Sequence, residues 1–226
     1  MAVNIDTVYQ RVLAIANKEQ RGYITPQEFN LFANQAQMEI FEQYFYDINQ
    51  FGKIPGNSTE YSDMLDLLKE KISIFKRNED LNVVDSAADY PSNAYRVGEL
   101  FYNNKKIQQV SQSELTLMQG SLLLKPTLKN PVYTDAEKKF KLYGLVSATI
   151  NVTYIKKPIP AEWGYSVIGE HAINNPLSSF DFELHASEET SLVMKILSLA
   201  GIVLKDATLY QAGEGTEVKK IQQEKQ

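Results

Sequence analysis

The stretch TPQEFNLFANQAQMEIFEQYFYDI, residues 25–48, decides the first layer of the fold. Thr25 can cap a helix, Pro26 suits its first turn, and Glu28 stands where its carboxylate reaches back to the cap amide. From that start Phe29, Phe32, Ala33, Ala36, Ile40, Phe41, Tyr44, Phe45 and Ile48 recur with helical period. The stripe is unusually aromatic. It reads first as a helix face turned to the core, and second as a subunit interface, where aromatic anchors are also favoured. Phe41 and Phe45 are its interface candidates.

On the N-terminal side, Ile5, Val8, Val12 and Ile15 form another helical stripe, which Arg21-Gly22 interrupts. On the C-terminal side, residues 51–58 form a Gly- and Pro-containing loop. A third helix follows on Tyr61, Met64, Leu65, Leu68, Ile72 and Phe75. Its expected end is Lys76-Arg77-Asn78, with cations at the negative pole of the helix dipole.

After residue 80 or so the period changes. Tyr95-Arg96-Val97 and Leu100-Phe101-Tyr102 are β-rich. Asn103-Asn104 makes a hairpin turn into a strand from Lys106 to Val110. Ser111-Gln112-Ser113-Glu114 is a capping box before a short helix that reaches Met118 and closes at Gly120. Phe140 with Leu142, then Ile150, Val152 and Tyr154, and then Phe180, Phe182 and Leu184 alternate with polar residues as half-buried strands do. Residues 158–178, with three prolines, two glycines and the single Trp163, read as a long loop. Ser187-Glu188-Glu189 opens a last helix pair with an apolar face on Leu192, Val193, Ile196, Leu197, Ala200, Val203 and Leu204. Asp206 starts the second helix, and the end is polar.

The expected fold is therefore α+β: an N-terminal helical bundle (1–79), a β-rich middle with the long loop 158–178 (80–186), and C-terminal helices with a polar tail (187–226), all in one compact unit. The apolar share of 43% and charged share of 23% fit a folded chain rather than a disordered one. There is no cysteine, which excludes disulfides, thiolate metal sites and thiol nucleophiles. No run approaches the roughly 20 apolar residues of a membrane span. The first residues lack the basic-then-apolar order of a signal peptide, so a cytosolic product is expected. Net charge is −5 and no lysine block makes a phosphate-tracking stripe, which argues against tight DNA binding.

No catalytic pattern emerges. A divalent ion at Glu183, His185 and Glu188 can be pictured, but the spacing matches no metal motif, and acids at a helix start are explained by its dipole. Gly213-Glu214-Gly215 lacks the strand and further glycine of a nucleotide loop. The expectation is no catalytic residue, no metal and no cofactor. Partner contacts are expected in the Pro/Gly-rich loop, on Trp163 and Tyr165, and in the tail beyond Gly213, on Ile221.

Several stretches resemble head-to-tail adaptor (connector, neck-ring) proteins of short-tailed bacteriophages, most of all the ring proteins of crAss-like phages. One runs from Ile5-Asp6-Thr7-Val8-Tyr9 through Gly22-Tyr23-Ile24-Thr25-Pro26-Gln27-Glu28-Phe29-Asn30 to Ala33-Asn34-Gln35-Ala36-Gln37. Another joins Lys125-Pro126-Thr127 and Asn130-Pro131-Val132-Tyr133 to Val152-Thr153-Tyr154-Ile155-Lys156-Lys157-Pro158 and Trp163. A third is Phe180-Asp181-Phe182-Glu183-Leu184 leading into 192–205 and a Gln/Glu/Lys-rich end. The resemblance implies a structural virion protein rather than an enzyme. It would form a ring of its own copies, a dodecamer, docked on the portal protein, extending the DNA channel and offering a platform to the adjoining tail or ring protein. DNA would be met only as the passing genome, and no membrane would be involved. The protein would reside in the neck or tail of the virion, and in host cytoplasm during assembly. A tail-fibre or baseplate attachment protein is the main rival, though such proteins usually carry repeats and none is present. A cytosolic enzyme or binding module is the second.

Overall fold

The computed structural model describes residues 2–18, 24–51, 59–169 and 171–203. In chain order they form β1 (Ala2–Val3), α1 (Ile5–Lys18), α2 (Pro26–Phe51), α3 (Thr59–Ser73), β2 (Lys76–Val83), β3 (Ala87–Asp89), β4 (Ala94–Tyr102), β5 (Lys105–Gln109), α4 (Gln112–Gln119), β6 (Val132–Ala136), β7 (Lys139–Tyr143), β8 (Ala148–Lys156), β9 (Tyr165–Ile168), β10 (His171–Asn174), β11 (Phe182–His185) and α5 (Glu189–Val203). The fold is mixed α+β. The chain divides into two compact units: a helical one, 1–74 with 158–226, and a β one, 75–157. Residues 158–186, grouped by the sequence reading with the β-rich middle, thus return to the helices.

In the helical unit α2 begins as its sequence dictates. Glu28 Oε2 accepts from the Thr25 amide at 2.9 Å and from the Thr25 hydroxyl, while the Glu28 amide donates to Thr25 Oγ1. The bond from the Thr25 amide first, and then that from its hydroxyl, hold the Glu28 carboxyl below its usual range. Asn4 caps α1 by accepting from the Thr7 amide, and Asp181 Oδ1 accepts from the Ile5 amide. Phe29, Ala33, Ala36, Ile40, Phe41, Tyr44 and Phe45 are buried, as are Val8 and Val12 of α1 and Leu192, Val193, Ile196, Leu197 and Ala200 of α5. Helix α5 packs on both α1 and α2. Each large aliphatic or aromatic side chain so buried contributes roughly 1.5–3 kcal/mol. The second helix of the expected C-terminal pair lies outside the described residues.

The β unit is one seven-stranded sheet in the order β2-β8-β4-β5-β6-β7-β3, antiparallel except for β5 beside β6. The parallel pair is connected through α4, as a parallel crossover requires. Its two edge strands, β2 and β3, are joined by the turn Val84 to Ala87, a single bridge in which each residue's amide donates to the other's carbonyl. The interior holds Val83, Leu100, Ile107, Phe140, Leu142, Leu145, Ile150 and Val152.

Three two-residue turns shape this unit: Asp85-Ser86, Asn103-Asn104 and Glu137-Lys138. All six residues have positive φ, the signature of hairpin turns that match strand twist. Ser111 and Glu114 form the full capping box of α4.

Three sequence expectations need correction. Helix α3 ends at Ser73, and Lys76-Arg77-Asn78 begin strand β2 rather than close a helix. That strand is exposed along its first five residues, so it shows no apolar alternation; it is held by its ladder to β8 and by polar cross-strand pairs such as Asp80 with Asn151. Residues 158–178 are not a plain loop, because β9 and β10 form a hairpin inside them. Finally, Phe180 is exposed; only Phe182 and Leu184 of that alternation are buried.

Candidate functional site

Of the residues singled out as interface candidates, Phe41, Phe45 and Trp163 are interior and Tyr165 is half-buried. Phe41 and Phe45 are buried and meet edge to face at 5.1 Å. Trp163 is 1% exposed. Its ring lies 4.0 Å from that of Tyr9 and stacks on Tyr165 at 5.8 Å, and its indole N–H donates to Asp6 Oδ1 at 2.8 Å. Tyr165 is half-buried in the same stack. These four side chains organise the helical unit, whose exposed aromatic rings include Phe180 instead. Ile221 and the tail beyond Gly213 lie outside the described residues.

What holds Trp163 in place was missed by the sequence reading. Asn30, Asn34 and Gln37 share one face of α2 and act on the backbone of residues 159–163 as a neighbouring strand would. Asn34 donates to the Ala161 carbonyl at 2.9 Å and accepts from the Ala161 amide at 2.9 Å. Asn30 does the same for Trp163, accepting from its amide at 2.8 Å and donating to its carbonyl at 3.3 Å. Gln37 donates to the Ile159 carbonyl and accepts from the Glu183 amide. A side-chain amide has the donor and acceptor of a peptide group, so Asn30 and Asn34 satisfy both polar groups of an alternate residue on an extended segment. The signal was present as three amide residues at helical spacing, flanking the apolar stripe.

The surface carries two apolar arms, one in each unit. In the helical unit, β9 and β10 pair only with each other among the described residues. The base of this hairpin is fixed: the Asn175 amide donates to the Gly164 carbonyl at 2.9 Å. A Cβ on Gly164 would lie 2.6 Å from the Ser178 backbone, so the chain passes too closely for any side chain there. Beyond the base Val167, Ile168, Ile173 and Leu177 stand in solvent. An isolated two-stranded hairpin is marginal in water. Exposed contiguous apolar side chains of this kind mark interaction sites.

In the β unit the second arm runs from α4 to β6. Leu115 anchors it inside, beside Val110 and Val132. Leu117, Leu122, Leu123, Leu124 and Leu128 are exposed, Leu122 and Leu123 almost fully. Gly144, with φ +94, lets Thr127 lie against the sheet, where a Cβ would come 2.6 Å from the Thr127 oxygen. Beside this arm runs a groove of about 590 Å³, lined by Leu122, Leu123, Lys105, Lys106, Lys125 and Lys129 among others. Lys106 pairs with Glu99.

The net charge conceals a division. The β unit holds twelve Lys and Arg against eight Asp and Glu, net +4, and the helical unit eleven against twenty, net −9.

The titratable groups do structural work. Burial first, then the hydrogen bond and charge of Asp135, push the Tyr90 phenol far above its usual range. Burial also raises Tyr133, with Asp135 and Glu99 adding to it, and raises Tyr154, with Glu79 adding to it. Phenols held protonated in this way cannot act as bases at neutral pH. His185 caps the turn Ala186–Glu188 through Nδ1, and Glu188 is buried in an ion pair with Lys71 at 2.7 Å. Among the described residues no group of three His, Asp or Glu converges as a metal site. No described helix is long and apolar enough to cross a membrane. The sequence matches no protein-family model and no curated protein.

Proposed function

We propose that the protein is a subunit of a ring in the neck of a tailed bacteriophage. It docks on the portal protein, extends the DNA channel and offers a platform to the next tail protein. The observation that supports this reading is the pair of exposed apolar arms, one on each unit, each with a closely packed base. A subunit that contacts different neighbours on different sides needs more than one such surface, and a closed ring needs two that complement each other. The sequence resemblance to head-to-tail adaptors supplies the setting. In it the ring is a dodecamer, DNA is met only in passage, and no cofactor or chemistry is required.

Co-sedimentation of the purified chain with portal particles tests the reading. Saturable binding at one ring of subunits per portal is the expected result. No binding to portal, with no ring in images of assembled necks, overturns it.

A further inference from the structure

From the chemistry of the two arms we infer that they are partners of each other between copies: the β9–β10 hairpin of one subunit seats in the lysine-flanked leucine groove of the next. This deepens the ring reading and rests on it. Both surfaces are apolar and uncovered by any described residue, and the sequences that carry them are of opposite charge. Residues 158–185 of the helical unit contain Glu162, Glu170, Asp181 and Glu183 and no lysine or arginine. The groove is flanked by Lys105, Lys125 and Lys129, which form no ion pair among the described residues, and by Lys106. Leucine on one side and Val167, Ile168 and Ile173 on the other would leave water together. The charges at the rim would select the pairing and its orientation more than its strength.

The contact is heterologous, since hairpin meets groove and neither meets its own kind. Repetition therefore builds a ring if the rotation closes and a filament if it does not. A like-with-like contact would place the lysines of two grooves, or the carboxylates of two hairpins, against each other.

The natural absence of cysteine allows a clean test. Ile168→Cys and Leu123→Cys are made in separate full-length chains, at exposed positions that leave both cores intact. Each is oxidised alone and in an equal mixture, at high protein concentration and low salt. The expected result is a disulfide-linked dimer in the mixture, severalfold above the yield of either variant alone, and falling when salt is raised. Equal cross-linking in the single-variant samples shows a like-with-like contact and overturns the inference. No cross-link in the mixture overturns it as well. A second arm uses Val167→Asp with Leu123→Asp. Each should block growth of assemblies, and the two mixed should give heterodimers and nothing larger, because one competent surface survives on each. Rings that form on the portal from either aspartate variant discard this contact and leave the ring reading standing. A wild-type chain that forms no ring even with portal discards the ring reading itself.

Discussion

Replacing Asn34 with alanine tests whether the amide face of α2 holds the returning chain. The substitution strands the amide and the carbonyl of Ala161, a residue 1% exposed. Each buried group left without a partner costs about 1–3 kcal/mol. Asn34 itself is half-buried, so water can reach part of the gap and the lower half of that range applies. Alanine also gains helix propensity over asparagine, roughly 0.5 kcal/mol. The net loss is about 1.5–3.5 kcal/mol for the helical unit, or a fall in melting temperature of roughly 3–14 °C for a chain of this size. Thermal unfolding followed by far-UV circular dichroism measures it. Gln35→Ala, which removes only an exposed bond to Glu39, is the control and should shift melting by less than a degree or two. Asn34→Asp sharpens the test: its carboxylate keeps the acceptor for the Ala161 amide but faces the Ala161 carbonyl without a donor. Protonation restores a donor, so this variant alone should gain stability relative to wild type as pH falls. An Asn34→Ala protein that melts within a degree of wild type would refute the reasoning.

Further outcomes follow from single sites. Lys138→Gly relieves a left-handed residue in the β6–β7 turn and should stabilise the β unit by about 0.5–1 kcal/mol in chemical denaturation. Phe41→Ala, at a fully buried position, should cost about 3–5 kcal/mol of folding free energy rather than merely block assembly; a variant with unchanged melting would place Phe41 against a neighbour instead. Glu28 and Glu114 have carboxyls held below the usual 4.5 by bonds to Thr25 and Ser111, so their share of stability is whole above that value and is lost as pH falls through their lower folded values; Glu28→Gln with Glu114→Gln keeps the capping geometry and should flatten that part of the acid limb in pH-dependent melting. Residues 75–157 expressed alone should fold, giving a dispersed amide NMR spectrum, because the unit has its own core and its two ends meet through the bond from the Lys156 amide to the Phe75 carbonyl at 2.9 Å.

The parts of this fold that were legible are those settled within a few residues. Thr25 with Glu28 and Ser111 with Glu114 are three apart, and each box fixes its helix start without help. Asn103-Asn104 announces a left-handed turn by residue type, whereas Asp85-Ser86 and Glu137-Lys138 take the same conformation with weaker signals and were passed over. Strand β2 was hidden because its register is imposed by β8, some seventy residues later, not by its own pattern. Trp163 was misread for the same reason. A tryptophan among prolines and glycines suggests an exposed anchor, but its hydrogen-bond partner Asp6 is 157 residues away in the chain, and Asn30 is 133. The surface arms were visible only in part. Leu122-Leu123-Leu124 is an apolar run in a loop, and only its exposure makes it a surface. The hairpin's Val167, Ile168 and Ile173 lie where alternation is absent because both faces are open.

The charge division bears on how such a subunit would choose its neighbours. At physiological ionic strength a charge is felt over about 8 Å, so the totals of +4 and −9 matter less than which groups meet at a contact. The leucine groove is lined by lysines, whereas residues 158–185 carry four carboxylates and no lysine or arginine, Asp181 and Glu183 among them accepting from the Ile5 and Ile159 amides. Pairing two grooves, or two hairpins, would bury apolar area while pressing like charges together, and that repulsion grows as water is excluded. Pairing hairpin with groove buries the same kind of area with the opposite sign of interaction. Apolar burial supplies the drive in every arrangement, and the rim charges penalise all but one of them. The arrangement that escapes the penalty is head-to-tail, which is the only one of the three that can grow beyond a pair.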